Sequence, residues 1–328
     1  MSGCFISLKD IKNLPVRFMD TDEMIRYAPK NTSGIISMSL ESLVRDEKFG
    51  EILYKATSEL SKSASSLEAF HGITMIHTIT MYYQESKDAA SPFSGLTFIA
   101  KLTMDLDKVK KAHWGKINTS THRTYTLYSF ESGFMGNNTF YIVFPDAETI
   151  ISGTKENVSH ILDVKDGLTT AAVLHPNLPK ALPINGTTLL WSTFAIEQEA
   201  ASMFLQAKQS RDPKPKPETT QSSITGMRFV ADILDTTINV RMDVMIGDTG
   251  EKKLIQTKIN STLDGSMGQL PQGMAEIINA YNIHEQPWGL VFGTSLDKIR
   301  IIEKLEEGLD REKENKSFDP DIFLKSIL

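Results

Sequence analysis

The segment from Thr225 to Ile246 restricts the fold more than any other part of the chain, because polarity alternates along two consecutive runs joined near Asp235. In the second run Ile238, Val240, Met242, Val244 and Ile246 interleave with Thr237, Asn239, Arg241 and Asp243. A period of two is that of a strand with one buried and one wet face. Met227, Phe229, Ala231 and Ile233 keep the same phase in the first run. The pair therefore predicts a β-hairpin with Arg241 and Asp243 on its wet side.

Strand and helix periods recur on both sides of this hairpin. Ile36 to Leu40 reads as a strand, and Phe49, Ile52, Leu53, Ala56 and Leu60 share one face of a helix. A short helix from Ser65 ends at His71 before Gly72, and strands follow at Ile73–Tyr83 and Leu96–Leu102. Asp105 and Thr154 are placed to cap helices at Leu106–Ala112 and Val158–Leu162. Thr119–Phe130, Thr139–Phe144 and Thr149–Ile151 read as strands. Pro176, Pro179 and Pro183 mark an irregular connection, after which the pattern starts over. Leu190–Phe194 is a strand, and Ala200, Met203, Phe204 and Ala207 form a helical stripe. Helical stripes are also expected at Leu254–Leu263, at Met274, Ile277, Ile278 and Tyr281, and from Ser295 through Leu296, Ile299, Leu305 and Leu309. Trp288, Leu290 and Phe292 alternate as a strand.

The order strand, helix, strand, strand, helix thus occurs twice. It predicts an α+β protein of two similar halves, each a mostly antiparallel sheet covered on one face by helices. The expected division is a tether over 1–30, a first half over 31–170, a Pro-rich connection over 171–185, and a second half over 186–328 with a solvated loop at 210–223. A chain of 328 residues, 40% of them apolar, can fill two such cores.

Composition removes several function classes. The net charge of -6, from 35 basic and 41 acidic residues, does not provide the concentrated positive surface that phosphate backbones require, so no nucleic-acid partner is expected. The one cysteine, Cys4, precludes an internal disulfide framework and a Cys-based zinc site. Seven histidines are scattered, and His77 falls in an apolar strand phase, the place of a satisfied core imidazole. No metal ligand set, dinucleotide fingerprint, P-loop or nucleophile elbow is present in the sequence, so neither metal nor cofactor is expected. Ser295 and Lys298 spell S-x-x-K at an expected helix start, the spacing of a serine nucleophile and its lysine. The accompanying motifs are missing, and Ser295 reads better as a helix cap beside a solvated lysine. No catalytic residue is assigned.

The N-terminal Ser2-Gly3-Cys4 resembles the lipobox of bacterial lipoproteins, where small residues precede a cysteine that is acylated and becomes the mature N-terminus. That family has Leu where Met1 stands and a charged, apolar leader before it. The run from Phe140 through Asp146, Ile150, Gly153 and Leu162 to Lys165-Asp166-Gly167 resembles a segment of uncharacterised bacterial envelope proteins, as do Gly34–Leu43 and Ser94–Val109. The resemblance implies a lipid on Cys4 and a place in the cell envelope facing the periplasm. The alternative is an ordinary thiol in a cytoplasmic protein. Two functions are carried forward: a membrane-tethered, non-catalytic binding or scaffolding module with a protein or small-ligand partner, and a soluble protein holding a small apolar or peptide ligand between its halves.

Overall fold

The computed structural model describes residues 19–52, 73–84, 95–111, 117–131, 139–180, 182, 184–196, 223–257, 260 and 278–314. Cys4, the expected helices at 65–71 and 200–207, and nearly all of the 210–223 loop lie outside these residues.

Helix α1 (Thr21–Tyr27) opens the described chain, capped by Asp20, whose carboxylate accepts from the Glu23 amide. Strand β1 (Thr32–Ser39) runs into α2 (Leu40–Arg45), and a further helical turn occupies 47–52. Then come β2 (Ile73–Gln84), β3 (Leu96–Met104), α3 (Leu106–Lys111), β4 (Asn118–His122), β5 (Tyr125–Glu131), β6 (Thr139–Asp146), β7 (Thr149–Gly153) and α4 (Lys155–Lys165). After the connection follow β8 (Thr188–Ala195), β9 (Ile224–Ile233), β10 (Thr237–Ile246), β11 (Ile278–Gln286), β12 (Gly289–Asp297) and α5 (Lys298–Glu314). The caps expected at Asp105 and Thr154 are present, accepting from the Lys108 and Asn157 amides.

The structure is mixed helix and strand with an antiparallel sheet, as the alternation predicted. It is not two sheets. Twelve strands join in the order β11-β12-β10-β9-β8-β1-β2-β3-β7-β6-β5-β4. The union is made by β1 and β8, which pair antiparallel with Ser37 opposite Trp191 and Ile36 opposite Ser192. Alternation reports which face of a strand is dry but not which neighbour it bonds. Two separate sheets would have left the backbone donors and acceptors along β1 and β8 unpaired, and pairing them satisfies both edges.

Helices lie on both faces, contrary to the expectation of one covered face. Residues opposite one another in an antiparallel pair share a face, so the register assigns each side chain. The first face carries Ile35, Tyr82, Ile99, Ile151, Val143 and Trp191, packed by α1, by Val158, Ile161 and Leu162 of α4, and by Leu174, Leu178 and Ile184 of the connection. On the second face Ala231, Ile233 and Ile238 are covered by Phe49 and Ile52 and by Ile302 of α5. Leu102 and Phe144 are covered there by Val109 of α3.

Several expectations are corrected. Residues 19–30 are part of the body and not a tether: Met19 and Met24 are fully buried, and the buried Tyr82 hydroxyl donates to the Met24 carbonyl. The described residues of the connection at 171–185 form no helix or strand, and they are packed down, with the Asn31 amide donating to the Val173 carbonyl and the His175 amide to the Thr32 carbonyl. Pro179 sits so close that a Cβ on Gly226 would stand 2.6 Å from its Cγ. The strand expected over Thr119–Phe130 is a hairpin turning at Arg123, which adopts φ 52°. Ile278 and Tyr281 of the expected helical stripe lie instead in β11, fixed by its pairing with β12, while Met274 and Ile277 lie outside the described residues. Leu254 and Ile299, expected inward, are exposed.

Candidate functional site

A cavity of about 160 Å³ lies on the first face where β1 and β8 meet. Its floor is sheet: Ser37 and Ser39 of β1, Thr78 of β2, and Thr188 and Trp191 of β8. Its sides come from Met19 and Met24, from Ile184 to Gly186 of the connection, and from Glu41, Ser42 and Arg45 of α2. Four parts of the chain distant in sequence therefore build it, and none forms it alone.

Most polar groups in this wall are satisfied. Ser37 and Thr80 hydroxyls meet at 3.0 Å, and Thr80 also reaches the Met19 sulfur. Ser42 Oγ lies within reach of Ser39 Oγ and of the Gly186 and Thr188 carbonyls. Glu41, 3% exposed, accepts from Arg45 Nε at 2.7 Å and faces His77 Nδ1 at 3.0 Å. His77 Nε2 stands 2.9 Å from Thr103 Oγ1. His77 is thus the satisfied core imidazole that its strand phase suggested. A carboxylate only accepts, so Nδ1 carries the proton, and in the neutral ring Nε2 accepts from the threonine. Hydroxyl, imidazole and carboxylate stand in the order of a nucleophilic relay. The imidazole is fully buried, however, and the carboxylate is shared with Arg45. This chain of contacts ties α2 to β2 and β3.

Two polar atoms in the floor are different. Trp191 Nε1 and Thr78 Oγ1 are buried without a hydrogen-bond partner, and each residue is 1% exposed. Buried donors are nearly always paired, because desolvation without a partner costs about 1–3 kcal/mol. Both residues border the cavity, but the two atoms themselves are covered by their neighbours and do not face its open space. Beside it, burial pushes the Tyr82 phenol well above its ordinary range, helped by Glu23 and Tyr27, so it stays a donor to Met24.

The residues singled out by sequence are not gathered here. Ser295 lies on β12 and its hydroxyl meets Asn239 Oδ1. Lys298 is 5% exposed and donates to Asp46 at 2.6 Å and to the Leu234 carbonyl. The two residues of the S-x-x-K spacing are thus engaged with different partners, Ser295 with Asn239 and Lys298 with Asp46 and Leu234. Helix α5 is capped instead by Asp297, which accepts from the Arg300 amide. Asp243, expected on a wet face, is fully buried, clamped by Arg228 Nε at 2.7 Å and Arg241 Nε at 2.8 Å. Arg228 also stacks 5.3 Å from the Trp288 ring centroid and donates to the Lys180 carbonyl. That cluster is internally satisfied.

Among the described residues no group of three or more His, Cys, Asp or Glu could hold a metal ion, and no helix is long and apolar enough to cross a membrane. No family model matches the chain, and neither does any curated protein. The chain is similar in structure to crystal form I of TP0453, at 8% identity and a TM-score of 0.46 over 87% of this chain and 96% of that one. Crystal form IV of TP0453 gives 9% identity and a TM-score of 0.45 over 85% and 94%.

Proposed function

We propose that this chain is a non-catalytic binding module that seats a small, largely apolar ligand in the cavity between its two halves. The observation that carries this reading is a cavity of about 160 Å³ walled by Met19, Met24, Ile184 and Trp191 together with Ser42 and Glu41, and built by four separate parts of the chain. Pockets of this kind, apolar with a few convergent polar groups and set between substructures, are the usual form of small-molecule sites. A dry cavity of about 150 Å³ holds a benzene-sized guest, so the volume suits one ring or a short branched chain. The strand order favours two copies of one unit, with β1, β2, β3, β7 and β6 running outward on one side and β8, β9, β10, β12 and β11 on the other. The ligand then sits on the seam between copies.

The test uses 5-fluorotryptophan. The chain has three tryptophans, so the fluorine signal of Trp191 is assigned by its loss in Trp191→Phe. Titration with ring-sized neutral fragments is expected to move that signal saturably and to leave those of Trp114 and Trp288 in place. If no fragment moves it at millimolar concentration, the reading fails.

Ser2-Gly3-Cys4 supports an acyl tether holding this module at the cell envelope. Intact mass of the full-length precursor made in a bacterium decides that part. An unmodified Cys4, with Cys4→Ser equally soluble, removes the tether and leaves the cavity reading untouched.

A further inference from the structure

We propose that a second site, independent of the cavity at the β1–β8 pair, takes a small hydroxylated carboxylate of the sugar-acid type. The site is a cleft of about 310 Å³ on the second face, between α3 and the end of the sheet formed by β5 and β6. Helix α3 has six residues, and its Val109 packs on Leu102 and Phe144 while Thr126 of β5 stays exposed. Strand β6 slips out of register with β7 between Val143 and Asp146, so Phe144 and Pro145 line the cleft from an irregular end of the sheet. The floor is Leu106 and Phe144, and the Tyr128 ring meets that of Phe144 edge-on with centroids 5.9 Å apart. The rim is polar, with Lys110 of α3, Thr124 of the β4–β5 turn, and Thr126 and the hydroxyl-bearing Tyr128 of β5.

The charges around this cleft are paired off with one exception. Asp105 holds Lys108 at 3.0 Å, Asp146 holds Lys165 at 3.4 Å, and Asp163 holds Arg123 Nε at 2.7 Å. Lys110 is exposed, and among the described residues neither an ion pair nor a hydrogen bond engages its ammonium. The hydroxyls of Thr124, Thr126 and Tyr128 are likewise bonded to no described group. An ammonium carries three donors and no acceptor, so it calls for an acceptor, best an anionic one. One cation matches one negative charge. A dianion would set its second charge near Asp107, which lies three residues before Lys110 on the same side of α3, and near Asp146, which follows Pro145 in the chain. Hydroxyls both donate and accept, so three of them beside the cation match the hydroxyls of a polyol, whereas an apolar ligand would strip their water and return nothing. A carboxylate bearing several hydroxyls, with its C–H surface resting on Leu106 and the two rings, meets all of these conditions.

Three probes separate the parts of the ligand: glucuronate, glucose, which lacks the carboxylate, and benzoate, which lacks the hydroxyls. Dissociation constants are measured by ligand-observed NMR on the full chain. Glucuronate is expected to bind about tenfold more tightly than glucose, the return of one charge-assisted hydrogen bond, and more tightly than benzoate. Lys110→Met should abolish the advantage of glucuronate over glucose, and Lys110→Arg should keep it, which separates a charge contact from a loss of fold. Thr126→Val should weaken glucuronate and leave benzoate unchanged. Glucose binding as tightly as glucuronate, an unaltered glucuronate affinity in Lys110→Met, or no saturable glucuronate binding at millimolar concentration overturns the proposal. Benzoate binding as tightly as glucuronate overturns the ligand class, because the hydroxyls then contribute nothing. Each of these failures leaves the cavity reading standing, since none of the residues involved borders that cavity.

Discussion

Thr78→Val and Thr80→Val offer a matched pair of substitutions two residues apart on β2. Both threonines are buried, at 1% and 0% exposure, and both face the first side of the sheet, opposite Ser39 and Ser37 respectively. Valine has the shape of threonine and an equal fitness for strands, so backbone and packing terms nearly cancel. What differs is the hydroxyl. That of Thr78 has no partner, so removing it recovers a desolvation cost of about 1–3 kcal/mol. That of Thr80 meets Ser37 at 3.0 Å and reaches Met19, so removing it strands the Ser37 hydroxyl and costs about 1–2 kcal/mol. Thr78→Val should therefore unfold at higher urea concentration than the parent and Thr80→Val at lower, with unchanged denaturant slopes. Calorimetry should show Tm displacements of roughly 1.5 °C per kcal/mol in the same directions. The reasoning is refuted if both substitutions destabilise to the same degree, for then Thr78 is as well partnered in solution as its neighbour.

Other outcomes follow from groups outside the cavity. Lys298→Met should cost about 3 kcal/mol in equilibrium unfolding, because it leaves Asp46, at 13% side-chain exposure, with neither its cation nor water. Gly226→Ala should destabilise by about 1–3 kcal/mol, since its Cβ would meet the Phe194 carbonyl at 2.9 Å as well as Pro179. Tyr125 donates to Asp166, and that bond, with burial second, raises its pKa to about 12. A folded-state value above the unfolded one near 10 means stability that is intact below pH ~10 and lost as pH rises toward 12. Tyr125→Phe should flatten that alkaline limb in pH-dependent unfolding. For Asp163, burial acts upward, but hydrogen bonds from His122 and Arg123 outweigh it and hold the carboxyl below its ordinary range. Its contribution is present above pH ~4 and lost as pH falls through the depressed value, so Asp163→Asn should weaken the acid dependence.

The local elements were readable where one face decides them. The β9–β10 hairpin and the Thr154-capped α4 follow from short-range periodicity and turn chemistry, and both formed where the sequence placed them. Errors arose where a distant partner decides. Ile278 and Tyr281 sit at a helical spacing, yet β12 pairs with them across the Pro287–Trp288 turn and makes a strand. Ser295 looked like a cap because the polar step there resembles a helix start, but β12 continues to Asp297, opposite Thr237. In β2 the apolar phase was taken as the odd residues. The even set of Thr78, Thr80 and Tyr82 is the more deeply buried, because α1 and the connection lie over it, and neither neighbour can be inferred from the strand. The cavity was unreadable for the same reason: each contributing segment is ordinary by itself. One clue existed, hydroxyl residues interrupting an apolar strand at Thr78 and Thr80, and it marks polar groups that need partners without saying where those partners are.

The position of the cavity follows from how the two sides of the sheet differ. On the β2–β7 side the first face is dry and roofed by α4, with Ile99, Ile151 and Val143 beneath it. On the β9–β10 side the same face carries Arg228, Arg241 and the buried Asp243, and its helix α5 packs against the opposite face. An apolar roof cannot continue over that charged cluster without desolvating the arginines, so it ends at the β1–β8 pair. What closes the remaining gap is Met19 and Met24, just before and within the short α1, from one side and the irregular Ile184–Gly186 from the other. A two-turn helix and an irregular segment cover the sheet less completely than the longer α4 does, and the unfilled space lies beside Trp191 and Thr78. The change in polarity from one side of the sheet to the other therefore accounts for the location of the cavity at the β1–β8 pair.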